Sequence, residues 1–135
     1  MAKLVLTDAS VTINSVDLSD TVQSVTLNYN ADQVEVTSMG DSAHKFTGGL
    51  DNITCDVTMF QDFAASEVEA TVFSLVGSTT TVVIKPTSGA VAADNPSYTI
   101  TDAFVSGHTP VAGTVGDAAM TTVNFVGGTL AQATS

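Results

Sequence analysis

The stretch NITCDVTMF (residues 52–60) alternates polar and apolar side chains from Asn52 to Met59. Its apolar members, which would share one face of a strand, are Ile53, Cys55, Val57 and Met59. Its polar members, which would share the other face, are Thr54, Asp56 and Thr58. A period of two is typical of a strand that packs one face on a core and leaves the other polar. The stretch therefore predicts a sheet with one packed face.

Most of the remaining chain shows the same kind of pattern. Further alternating or densely apolar runs, rich in Val and Thr, are SVTLNY (24–29), VEV (34–36), TVVIKP (81–86), SYTITDAFV (97–105) and MTTVNFV (120–126). Val and Thr favour pleated surfaces, and turn signals such as NADQ (30–33) and GHTP (107–110) separate the runs. We predict seven or eight short strands.

One segment, SEVEATVFSLVG (66–77), has a helical period instead. Its apolar stripe, spaced at i, i+4, i+7 and i+8, is Val68, Val72, Leu75 and Val76. Ser66 followed by Glu69 has the spacing of a capping box, and Gly77 stands where a helix C-terminal cap belongs. We predict one helix over about residues 66–76.

The order of strands, one helix and more strands predicts the fold class. We expect a mainly β protein: a β-sandwich or partly closed barrel with the helix packed on its flank and a long loop over about residues 37–50. A chain of 135 residues has the size of one domain, so we expect residues 1–135 to form a single domain.

The charge of the chain excludes several classes of function. There are fourteen acids, three lysines and no arginine, which gives a formal net charge of −11. Tight binding of nucleic acid or of an anionic membrane needs a cluster of Lys and Arg, and the chain has none. We also expect no signal peptide in MAKLVLTDAS, no membrane helix and no disulfide from the single Cys55. These expectations favour a protein made in the cytosol.

The segment VTSMGDSAHKFTGG (36–49) holds the densest group of reactive residue types. Asp41, Ser42 and His44 lie close in sequence, but a catalytic triad must converge from a rigid frame, and three residues of one loop do not imply that. One cysteine and two distant histidines do not make a zinc site, and SVDLSD (15–20) lacks the spacing of a calcium loop. We predict no enzyme activity, no metal and no cofactor. A long loop without chemistry is best explained by contact with a partner.

Three runs of the chain resemble a known family. They are VTLNYNADQVEVTSMGDSAHKFTGGLDNITCDVTMFQDF (25–63), the helical segment 66–77, and VVIKPTSGAVAADNPSYTITDAFVSGHTPVAGTVGDAAMTTVNFVGG (82–128). Together they resemble the tail tube, or major tail, proteins of long, non-contractile-tailed bacteriophages, in the compact form found in phages of actinobacteria. The resemblance covers about residues 10–130 and is carried by the ensemble of runs, with NADQVEVTSMGDS and the following GGL its most specific part.

The resemblance implies a structural protein of the virion tail, made in the host cytoplasm. In this family six copies form a ring, rings stack into a tube, and strands from all subunits line the lumen. The partners implied are further copies of the chain and other tail proteins at the tube ends. Viral DNA would pass through the lumen without specific binding, and no membrane would be involved.

Two sets of residues are candidates for these roles. The proposed contacts between subunits, all in or beside the long loop, are Met39, Gly40, Asp41, His44, Lys45, Phe46, Gly48 and Gly49. The proposed acids of the lumen are Glu35 and Asp56, because the alternation places them opposite an apolar face and negative charge repels DNA phosphates.

Two other interpretations of the function remain open from the sequence. The chain could be another virion structural protein, such as a head decoration protein, a tail terminator or a connector. It could also be a non-catalytic β-sandwich binding module, for example for carbohydrate, although the chain has no Trp and only two Tyr.

Overall fold

The computed structural model describes residues 5–135, which contain eight β-strands and one short α-helix. In chain order they are β1 (Ser10–Ile13), β2 (Val16–Asp17), β3 (Val22–Glu35), β4 (Phe46–Phe60), α1 (Val68–Val72), β5 (Thr79–Lys85), β6 (Ser97–His108), β7 (Met120–Val126) and β8 (Thr129–Ala133). Two 3₁₀ turns, Ser19–Thr21 and Phe73–Leu75, complete the helical structure. The prediction of a mainly β fold with one flanking helix is confirmed.

All strand pairs are antiparallel and follow the order β2-β1-β5-β6-β7-β4-β3. β8 pairs with the first half of β6, and β7 pairs with its second half. The edge strands β2 and β3 do not pair, so the sheet is not closed into a barrel. The predicted mainly β architecture is therefore realised as one antiparallel sheet of eight strands with open edges.

The core forms where the inner faces of this bent sheet meet. β4 supplies the four residues that its alternation predicts, Ile53, Cys55, Val57 and Met59, and all four are buried. β1, β5, β6, β7 and α1 add their own buried side chains to the same cluster. Burial in this apolar cluster raises the pKa of the Cys55 thiol to about 12, so Cys55 is a packed hydrophobe and not a nucleophile.

The helix is shorter than predicted and begins differently. The residue at its N-cap is Glu67, which makes no capping bond, whereas Ser66 has a left-handed backbone with φ of 64°. The predicted capping box is therefore not formed. The Glu69 carboxylate instead contacts His108 and Gln61, because these tertiary partners hold it away from the helix N-terminus.

The long loop is also shorter than predicted. The two strands around it pair as far as Glu35 and Phe46, so the connecting segment covers only residues 36–45, and residues 46–50 belong to β4. The predicted turn at 30–33 is not a turn but part of β3. A register shift between Ala31 and Gln33 takes its place, where β4 contains one extra residue.

Candidate assembly surface

The far half of the β3–β4 hairpin, residues 28–52, extends beyond the core and is here called the arm. Residues 46–52 of β4 pair only with β3, and every side-chain hydrogen bond of the arm joins two arm residues. Its large apolar side chains, all exposed, are Tyr29, Val34, Val36, Met39, Phe46 and Leu50. A two-stranded hairpin without a packed face is marginally stable in water. The arm is therefore a surface that favours burial against a partner.

The tip of the arm, residues 36–45, is held in a defined shape by its own polar groups. The Asp41 carboxylate accepts bonds from the Ser38 amide at 2.8 Å and the Ser38 hydroxyl at 3.1 Å, and lies 3.0 Å from the Lys45 ammonium. The Ser38 amide, followed by Lys45, lowers the pKa of Asp41 below its ordinary value. The tip thus presents Met39 from an organised loop, with its side chain fully exposed.

His44 takes part in a second set of contacts at the base of the tip. Its Nδ1 lies 2.6 Å from a carboxylate oxygen of Glu35, which also accepts a 3.3 Å bond from the Thr37 hydroxyl. The Lys45 amide donates to the same hydroxyl at 2.9 Å. His44 and Asp41 therefore have separate partners, and the structure does not connect them with Ser42 as a catalytic triad.

The three glycines of the segment have different structural roles. Position 40 favours glycine, because its backbone φ is 92°. Gly48 and Gly49 lie inside β4 instead of forming a turn. A Cβ on Gly49 would come within 3.1 Å of the Asp32 Cβ and of the Val34 Cγ2, so this glycine allows the two strands to approach closely.

The face of β3, β4 and β7 that points away from the core, here called the outer face, carries few charges. Register places Thr26, Asp56 and Asn124 side by side across the three strands. The neighbouring positions of this face are Ser24, Thr58 and Thr122 on one side and Asn28, Thr54 and Val126 on the other. Hydroxyl and amide groups therefore dominate the face, with Asp56 as the one carboxylate among these nine positions.

Glu35 lies on the opposite face of the hairpin from Asp56. Nine residues separate Glu35 from Thr26, the partner of Asp56, and the extra residue of the register shift lies on β4. An odd separation along a regular strand reverses the face. The two acids that the sequence groups together are thus two independent candidates, and a lumen position for either stays a prediction.

The other histidine, His108, lies in a buried polar cluster that sequence reasoning missed. Its side chain is only 1% exposed, with Nε2 at 2.8 Å from the Glu69 carboxylate and Nδ1 at 2.9 Å from the Thr121 hydroxyl. Gln61 joins the cluster by donating to Glu69 at 3.1 Å and to the Pro110 carbonyl at 2.6 Å. These contacts fasten α1 to the sheet. The alternation of β6 does not reveal them, because a register shift between Val105 and Gly107 interrupts its period.

Residues 5–135 contain no group of three or more His, Cys, Asp or Glu side chains placed to hold a metal ion. Over the same residues, no helix has the length and apolarity needed to cross a membrane.

Comparisons with known proteins find similarity in structure but not in sequence. No protein-family model and no curated protein matches the chain. Among solved structures, a chain of the SPP1 tail tube aligns with a TM-score of 0.74 at 9% identity, covering 98% of this chain and 80% of that one. The chain has the tail tube fold. At such low identity the likeness shows the fold alone.

Two further structures share the tail tube fold. A chain of the virion of a native gene transfer agent particle aligns with a TM-score of 0.73 at 13% identity, covering 93% of this chain and 95% of that one. A chain of the sheath/tube terminator of an extracellular contractile injection system, in its extended state, reaches 0.74 at 13% identity and covers 98% of both chains. The fold therefore occurs in a phage tail, a gene transfer agent particle and an injection system.

Proposed function

We propose that the chain is a structural protein of a bacteriophage virion that polymerises into the tail tube. Six copies form a ring, rings stack, and viral DNA passes through the lumen during delivery. The role is non-catalytic and needs no cofactor. The observation that carries the proposal is the arm, an organised hairpin with exposed apolar side chains and no packed face, on a chain with the tail tube fold.

The free edge of β3 supports assembly into rings. β3 is 14 residues long and pairs only with β4, so its outer edge offers a row of backbone donors and acceptors. Long uncovered edges favour pairing with another chain, and closure into a barrel removes them. In the proposed ring, this edge pairs with the neighbouring subunit.

The outer face supports a role in the lumen. Among the nine positions described, hydroxyl and amide groups surround the carboxylate of Asp56, which repels phosphates without a cation to hold them. We propose that Asp56 lines the lumen. We treat Glu35 as a separate candidate near the tip, since it lies on the other face of the hairpin and already contacts His44.

The eight residues proposed for contacts between subunits fall into two parts of the arm. Five lie in the tip, namely Met39, Gly40, Asp41, His44 and Lys45, and three begin β4, namely Phe46, Gly48 and Gly49. Met39 and Phe46 would supply apolar contact area, while the polar groups keep the tip in shape. Other tail proteins would meet the same surfaces at the tube ends, after synthesis in the bacterial cytoplasm.

The proposal is tested by removing the tip without breaking the hairpin. The Val36 amide donates to the Lys45 carbonyl at 2.8 Å, so residues 37–44 can be replaced by Asn-Gly, which forms a two-residue hairpin turn. We expect a folded monomer that forms no tubes, whereas the unmodified protein forms long hollow tubes in electron micrographs. Normal tubes from the shortened chain would contradict the role of the tip. Absence of tubes from the unmodified protein would favour a terminator, decoration protein or binding module instead.

A further inference from the structure

An apolar cleft of about 370 Å³ opens at the base of the arm, between β3 and the opposite part of the sheet. Six apolar or aromatic lining residues come from β3, β5, β6 and β8, namely Val25, Leu27, Tyr29, Ile84, Tyr98 and Leu130. Val25, Leu27 and Leu130 pack against the core but remain partly exposed. The cleft is thus a place where the apolar interior reaches solvent.

The cleft is open because two strands beside it lack a second partner. β3 pairs only with β4, and β8 pairs only with β6. A closed barrel would cover the side chains between these strands. In the single chain, Leu6 and Ala9 of the segment before β1 also line the cleft but leave it open to solvent. Burying such a surface is favourable by about 25 cal/mol for each Å² removed from water.

We propose that this apolar cleft receives the arm tip of a second copy of the chain. The inference rests on the proposed function and adds to it the acceptor surface for the arm. Among the apolar surfaces that one chain leaves exposed, the arm and the cleft are suited to cover each other. Met39 is the natural anchor, since its flexible side chain is fully exposed and fills irregular apolar space well.

The arm cannot fill the cleft of its own chain. Tyr29 lines the cleft at the base of the arm, and β3 runs six residues further before the tip begins. At about 3.4 Å per residue, the tip begins roughly 20 Å from its own cleft. The contact must therefore join different copies. Because the two surfaces differ, it is head-to-tail and generates an open series of subunits.

The negative charge of the arm favours the apolar cleft over the adjoining acidic cleft as the acceptor of the arm tip. The arm contains four acids, Asp32, Glu35, Asp41 and Asp51, and one lysine, Lys45. Lys85 is the one ionisable side chain besides Tyr among the residues lining the apolar cleft, and its ammonium donates to a neutral acceptor, the Gly89 carbonyl, at 3.0 Å. The adjoining cleft of about 750 Å³ is lined by Asp8, Asp17, Asp20 and Glu67, which repel an acidic arm.

Disulfide trapping tests the proposal. Ala9 lies in the lining of the apolar cleft, so the variant M39C/A9C places one thiol on the tip and one at the acceptor. The control is M39C/V115C, because Val115 is fully exposed, and so open to trapping, but lies in the loop before β7 and not in the lining of the cleft. Cys55 can remain in both, since it is buried. On mild oxidation during assembly, we expect a reducible ladder of dimers, trimers and larger products from M39C/A9C, at least tenfold above the control.

The outcomes separate this inference from the proposed function. Equal trapping in both variants, or none with A9C while the unmodified protein forms tubes, overturns the cleft as acceptor and leaves the tube function standing. A ladder specific to A9C without tubes supports the cleft and overturns the tube. Thermal unfolding of each variant before oxidation checks that both are folded. If the A9C variant is unfolded, the same pair with Pro86→Cys in place of Ala9→Cys gives the deciding result, because Pro86 also lines the cleft.

Discussion

Gly128 offers a sharp test of the bend that separates β7 from β8. Its φ is 88°, and a Cβ added there would lie 2.5 Å from the Thr101 carbonyl oxygen and 3.1 Å from the Ala103 amide nitrogen. All these neighbours are backbone atoms of β6 and cannot turn aside as a flexible side chain would. Gly127 provides a matched control, because its φ is 76° but a Cβ there would meet nothing within 4 Å.

The two alanine variants should therefore differ in a predictable way. Left-handed backbone costs about 1–2 kcal/mol for a residue with a Cβ, and both variants incur that cost. Only Gly128→Ala must also displace β6, and forcing extra atoms into a packed site costs about 1–3 kcal/mol more. We expect Gly127→Ala to lose about 1–2 kcal/mol of unfolding free energy and Gly128→Ala about 2–5 kcal/mol.

Urea unfolding followed by circular dichroism measures the difference. With a slope of about 2 kcal/mol per molar urea, the two midpoints should be separated by about 0.5–1.5 M. Because Leu130 of β8 lines the apolar cleft, Gly128→Ala should also weaken trapping of the arm, and Gly127→Ala should not. Equal midpoints for the two variants would refute the close approach at Gly128 and the reasoning built on it.

Two other predictions concern polar contacts. Because the pKa of Asp41 is lowered in the folded tip, its contribution to tip order should be present above the ordinary pKa of about 3.9 and be lost as pH falls through the folded value. Acidification should then remove the hydrogen-exchange protection of the Ser38 amide, and Asp41→Asn should abolish this pH dependence. The same pH profile in Asp41→Asn as in the unmodified protein would contradict the prediction. His108→Ala should cost about 2–4 kcal/mol of unfolding free energy, because it removes the contacts of the imidazole with the Glu69 carboxylate and the Thr121 hydroxyl and leaves Gln61 as the remaining side-chain donor to Glu69. Exposed His44→Ala is the control, and equal losses from the two would count against a structural role for the buried cluster.

The parts of the fold that sequence predicts are those in which local pattern and packing agree. The alternation over residues 52–60 identifies the four buried side chains of β4, because that strand packs one face on the core for its whole inner half. The left-handed Gly40 and Gly77 are likewise consistent with turn or cap chemistry. Each of these features depends on near neighbours in sequence.

The parts that sequence does not predict depend on distant partners. Glu69 has the spacing of a capping box, but buried His108, 39 residues away, holds its carboxylate. Gly48 and Gly49 suggest a turn, yet the pairing of β3 with β4 draws them into a strand. The arm shows the same limit. Its alternation resembles that of a packed strand, and only the topology reveals that no other strand or helix covers it.

The distribution of charge changes how the proposed lumen would work. A net charge of −11 suggests a wall of carboxylates, but four of the fourteen acids lie on the arm and four more line the acidic cleft. On the outer face, hydroxyl and amide groups surround Asp56, and neither Lys45 nor Lys85 lies there. Nucleic acid adheres to proteins mainly when Lys and Arg release counterions from phosphates. A wall of this composition would let DNA slide chiefly because it offers no cations. The acids elsewhere would make subunits repel one another, and assembly would require the apolar contacts of the arm to outweigh this repulsion. Assembly should then become easier as salt screens the repulsion between arms, whose range falls to about 8 Å at physiological ionic strength.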